Sequence, residues 1–163
     1  MKISFYPSWW RKHFLIAELC LAVFVTGLLL SWFRFWDGSD KLLAIVRGNR
    51  GQLYGTLASI FGSLLGFVIT AMSIVLGFSS AERLKVLKTS QYYEQLWEVF
   101  TSAIRVLGIT TVLWLACLFF DRETATRPVL LVMGIGISFL AVLRIIRCIW
   151  VLERIVEILT TSV

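Results

Sequence analysis

The 31 residues from Gly51 to Ala81 carry no charge. A helix rising about 1.5 Å per residue needs roughly 20 residues to cross a hydrocarbon core, so this run spans a membrane with a turn or more to spare. The rest of the chain agrees with it: mean hydropathy is +0.83 and only 16% of residues are charged, a balance suited to lipid. A second apolar run lies between His13 and Arg34, interrupted only by Glu18, with Trp9 and Trp10 before it and Trp32, Phe33 and Trp36 at its far end. Aromatic residues at both ends mark the two membrane interfaces. A third run, from Glu98 to Asp121, holds a single Arg105, and a fourth begins at Pro128 and continues to Leu143; proline suits a first helical turn.

These runs predict an all-α integral membrane protein, one domain over residues 1–163 with four transmembrane helices. The expected spans are 14–33, 53–79, 104–120 and 128–147, with a cytoplasmic helix over 80–104 leading into the third and an extension of the fourth to about 160. The first run follows Lys2, Arg11 and Lys12, as a secretory signal would, but it is too long and ends in bulky aromatics in place of a small-residue cleavage site. It reads as a retained helix. Basic residues near helix ends stay on the cytoplasmic side. With both termini inside, ten of the 16 Lys and Arg residues fall inside and six fall in the outer loops. The net charge of +6 is then a matter of topology and anionic headgroups, and points to lipid partners and away from nucleic acid.

The opening run has a second property. Gly51, Gly55, Ser59, Gly62, Gly66, Thr70, Ser73 and Gly77 recur at steps of three or four and form one face of one helix. Small residues at this spacing let helix backbones approach closely in lipid. The same face can also line a pore, since small side chains leave room and Ser59, Thr70 and Ser73 supply hydroxyls. It carries no charged ring, so a pore built on it would gate by dewetting. Leu57, Leu64, Phe67, Ile74 and Phe78 occupy the opposite face.

Glu18 lies inside the first span, and a carboxylate in a membrane is costly enough to demand a partner. The inside-in topology places Arg105, Arg144 and Arg147 at its depth, predicting an ionic cluster of Glu18 with these three arginines. Structural pairing is the main reading of that cluster, and proton or ion coupling the alternative. Two further patterns suggest contacts outside the membrane. Leu84, Leu87, Leu96 and Phe100 precede the third span at helical spacing, and Ile149, Leu152, Val156 and Leu159 follow the fourth at coiled-coil steps for about two heptads. They predict a helix seam between these extensions or with neighbouring subunits, although a helix lying on the membrane surface has similar composition.

Nothing in the sequence sets up catalysis. His13 is the only histidine, at the basic entry to the first span, and no partner stands at a spacing that would activate it. Cys20, Cys117 and Cys148 match neither a disulfide framework nor a metal site, and no phosphate-binding loop is present. We expect no enzyme, no metal and no cofactor.

The run from Tyr54 to Phe78, with "ERLKVLKTSQYYEQLWEVFTSAIRVLG" and "RIIRCIWVLERIVEIL", resembles a family of small bacterial inner-membrane proteins over residues 50–159. That resemblance implies a prokaryotic inner membrane and brings no function with it. Small multidrug exporters also have four helices and a glutamate in the first, but "LIAELCLAVF" lacks the alanine and glycine pattern around theirs. Three functions are consistent with the sequence. A homo-oligomeric channel or pore would use the second helix, a membrane adaptor would recruit a cytoplasmic protein, for instance in a stress or phage-defence operon, and a proton-coupled exporter would use Glu18.

Overall fold

The computed structural model describes residues 8–35, 46, 48–78, 91–121 and 128–161. These form four helices, α1 (Ser8–Phe35), α2 (Arg50–Phe78), α3 (Gln91–Phe120) and α4 (Pro128–Thr161), and among the described residues there is no strand. Each contains a stretch long and apolar enough to cross a membrane: Phe14–Trp32, Arg50–Val75, Leu96–Phe120 and Val129–Glu153. The outer surface is correspondingly apolar. Phe24, Phe67, Val112 and Phe119 each keep more than 60% of their surface exposed, far from what water tolerates in a contiguous patch.

Several boundaries differ from the sequence expectation, and α1 already begins at Ser8, six residues early. α2 begins at Arg50, three residues early, because Gly48 takes a positive φ of 84° and the next residue, Asn49, accepts the amide of Leu53 at 2.9 Å. The tight turn needs a residue without a Cβ. α3 runs as one unbroken helix from Gln91 to Phe120, joining residues 91–104 to the third apolar stretch, while residues 80–90 lie outside the described residues. α4 has 34 residues, about 51 Å at the usual helical rise, which exceeds the thickness of a hydrocarbon core.

The helices pack antiparallel in the order α2, α3, α4, α1. α3 buries Leu96, Val99, Phe100, Ala103, Leu107, Thr110, Trp114 and Cys117, a run at steps of three and four except for the adjacent Val99 and Phe100. α2 meets it with Tyr54, Ala58, Phe61 and Val68. This is interdigitation of two heptad-like stripes. On the other side, α4 fits between two neighbours because it has a glycine on each of two opposed faces. Two residues apart on a helix is about 200°, so Gly134 meets Trp114 of α3 while Gly136 meets Thr26 of α1. Neither tolerates a side chain: a methyl on Gly134 would stand 2.7 Å from the Trp114 ring, and one on Gly136 would overlap the Thr26 hydroxyl.

The glycines that bring helices together within the chain are therefore on α4. Gly134→Ala is expected to destabilise the protein by about 1–3 kcal/mol through overpacking, seen as a lower Tm in detergent. Gly66→Ala, whose added methyl meets nothing within 4 Å, should leave Tm unchanged or slightly raised. Equal effects from the two would refute this assignment.

Candidate functional site

Three features hold the polar chemistry of the chain. The first is at the end of the bundle where α1 begins. Glu18 of α1 is held by two arginines of α4: Arg147 Nε donates to Glu18 Oε1, and Arg144 Nη1 stands 3.0 Å from Glu18 Oε2. That second contact is ionic without hydrogen-bond alignment, so Glu18 Oε2 and the Nε and Nη1 of Arg144 are buried with no hydrogen-bond partner. Arg144 Nη2 donates to the backbone carbonyl of Leu15 at 3.1 Å, and the Arg147 guanidinium lies 4.0 Å over the Phe14 ring. Phe14 and Glu18 are one turn apart on α1, which is why one α4 residue reaches both. Arg105 does not join the cluster. It lies exposed on α3, at a suitable depth but with a different helix between it and Glu18, since α4 and not α3 is the neighbour of α1.

The second feature is at the opposite end and was missed in the sequence. Asp121, at the end of α3, accepts a hydrogen bond from the Tyr54 hydroxyl and pairs with Arg50 Nη1 at 3.5 Å. Both charged side chains are nearly sealed, at 1% and 6% exposure. The Tyr54 ring stacks on Trp114 with centroids 5.6 Å apart, and Trp114 Nε1 donates to Ser138 Oγ of α4 at 2.9 Å. One network thus ties α2, α3 and α4 together. Arg50 and Asp121 read in the sequence as charges bounding apolar runs; the available signal was their opposite sign at the same end of adjacent spans.

The third feature is the small-residue face of α2. Its members stand one position round from the residues that pack on α3. A Cβ on Gly62 would stand 3.6 Å from the Thr111 methyl of α3, ordinary contact, and one on Gly55 would meet nothing within 4 Å. Ser59, Gly66, Thr70 and Ser73 are exposed. The Thr70 and Ser73 hydroxyls donate to the carbonyls of Gly66 and Ile69, each at 2.9 Å. Their donors are spent within the helix, so the face offers acceptor oxygens and close approach. Gly77 is described as helix only.

Of the expected outer seam, Leu96 and Phe100 belong to the buried core, Leu152 is half-buried and Ile149 is exposed. Val156 and Leu159 are described as helix only, and Leu84 and Leu87 lie outside the described residues. Ile145 and Ile149 of α4 form one wall of an apolar groove of about 690 Å³, with Phe100 at its floor and Leu64, Phe67 and Val68 of α2 opposite. Cys117 and Cys148 are buried and Cys20 is exposed, all as free thiols; buried thiols of this kind pack as small apolar groups. No group of three or more His, Cys, Asp or Glu that could hold a metal occurs among the described residues.

Fold and site together define a chain of four helices long and apolar enough to cross a membrane, with an ionic pairing at each end and an uncharged small-residue face between. No protein-family model, curated protein or solved structure matches the chain significantly.

Proposed function

We propose that the chain is a homo-oligomeric channel of a bacterial inner membrane, both termini cytoplasmic, whose subunits meet along α2 around a symmetry axis. The observation that carries this reading is the exposed face of Ser59, Gly66, Thr70 and Ser73. Among the described residues it has no partner helix, while the adjacent face of α2 packs on α3. Among the described residues there is no open path through the middle of a single protomer, where Trp114, Tyr54 and Phe100 are buried. A path between protomers is the remaining route, and closed cyclic symmetry would bring one copy of the same face from each subunit to the axis. Backbone-satisfied hydroxyls and glycines without charge give a weakly selective lining that opens and closes by wetting.

Gly66→Leu tests it directly. Because a Cβ at this exposed position meets nothing within 4 Å, the protomer should tolerate the change, but the axis should not. In reconstituted bilayers the substitution is expected to abolish single-channel conductance while the oligomer runs at its normal size. Undiminished conductance would sink the channel.

A second reading rests on α4, which continues as helix to Thr161 beyond the apolar stretch ending at Glu153. Such an extension suits an adaptor that docks a cytoplasmic protein. Charged replacement of Leu152 and Leu159 would then release that protein in pull-downs. The exporter reading gains little, because Glu18 is already engaged by two guanidinium groups.

A further inference from the structure

The cluster at Glu18 is unbalanced. Two guanidinium groups face one carboxylate, leaving one positive charge in excess where burial makes charge expensive. Arg144 is 6% exposed and keeps two nitrogens without hydrogen bonds. Arg147 is different: 28% of its side chain remains accessible, its Nε is committed to Glu18, and its flat face is covered by Phe14. Among the described residues its Nη1 and Nη2 have no partner. Those two groups form the forked edge that matches an oxyanion of carboxylate or phosphate geometry.

The depth of the cluster selects among oxyanions. Phe14 opens the apolar stretch of α1, Glu18 lies four residues further in, and Arg147 lies six residues before Glu153 closes the stretch of α4. At 1.5 Å per residue these positions are about 6–9 Å from the end of the apolar zone, the level at which acyl chains give way to headgroups. An arginine there, stacked on an aromatic ring and with its fork open, is placed to meet phosphate.

We propose that Arg147, supported by Phe14 and Glu18 and backed by the buried charge of Arg144, binds the phosphate oxyanion of an anionic phospholipid headgroup. This rests on residence in the membrane but not on the channel, since Arg147 is on α4 and the proposed axis is lined by α2. The lipid supplies the missing negative charge. Glu18 positions the guanidinium and also limits how strongly the site attracts anions, so the two residues have opposite effects on binding.

The test is lipid retention by the full chain. Extraction of membranes at alkaline pH first establishes that the protein is integral; its release into the supernatant would overturn the membrane reading itself. Wild type, Arg147→Gln, Arg147→Lys and Glu18→Gln are then purified in detergent, checked for a single folded species by size exclusion, and titrated with phosphatidylglycerol or phosphatidylcholine under native mass spectrometry. Wild type should retain phosphatidylglycerol over phosphatidylcholine. Arg147→Gln should weaken retention of the anionic lipid roughly tenfold, as expected for losing a charge-assisted pair, with Arg147→Lys in between because it keeps charge but not the fork. Glu18→Gln should increase it. Should Arg147→Gln fail to fold, the Arg147→Lys and Glu18→Gln shifts, opposite in sign, still decide the question. Equal retention in all variants overturns the proposal, and so does protection by inorganic phosphate as strong as that by phosphatidylglycerol, which would assign the site to a soluble anion.

Discussion

Asp121→Ala is expected to lower the free energy of unfolding by about 3–5 kcal/mol, the range for removing one partner of a buried ion pair. The size follows from what is left behind. Arg50 is 6% exposed and its counter-charge is Asp121, so its guanidinium would remain sealed and uncompensated at the end of α2. Tyr54 would lose its acceptor at the same time while staying buried against Trp114. Charge and hydroxyl penalties therefore arise from one substitution. The pair itself need not stabilise the protein, because well-packed apolar side chains can replace a buried ion pair at little or no loss. Arg50→Met combined with Asp121→Leu should accordingly recover most of the stability that Asp121→Ala loses. Thermal or denaturant unfolding in detergent measures both, and a double variant as unstable as the single one would mean that the pair contributes net attraction.

At the opposite end, Glu18→Ala is expected to cost about 3 kcal/mol, the lower end of the same range. Arg144 is as buried as Arg50, but Arg147 keeps part of its surface accessible and can turn toward polar surroundings, which screens its charge. Combining Glu18→Ala with Arg144→Met should restore more stability than combining it with Arg147→Met. A double-mutant cycle on each pair separates the two contributions. If Arg147 proves the more strongly coupled partner, the ranking by burial is mistaken.

The sequence made depth and helix type legible, and left rotation about the helix axis illegible. The uncharged run 51–81 and the aromatic residues flanking the first run place the first two apolar helical stretches to within four residues, because a bilayer-sized helix needs a set number of apolar residues. Arg105, Arg144 and Arg147 all stand at the depth of Glu18, and depth alone grouped them. Only the order of packing, α1 beside α4 and not α3, separates Arg105 from the others. The α2 stripe met the same limit. Its steps of three and four identify one face, but the face that packs on α3 is shifted by a single residue, to Tyr54, Ala58 and Phe61. Gly134 and Gly136 lie two residues apart and so match no small-residue motif, because they serve two neighbours instead of one. Arg50 and Asp121 are paired by the register of α2 against α3, which apolar periodicity does not determine.

The pairing of α1 with α4 also sets a timetable for synthesis. Glu18 and Arg147 are 129 residues apart in the chain, and at 5–20 residues per second the ribosome takes roughly 6–26 s to bridge that interval. During that time the carboxylate of α1 exists without the two α4 guanidinium groups that pair with it. The last helix to be made is thus the one that completes the charge pairing of the first.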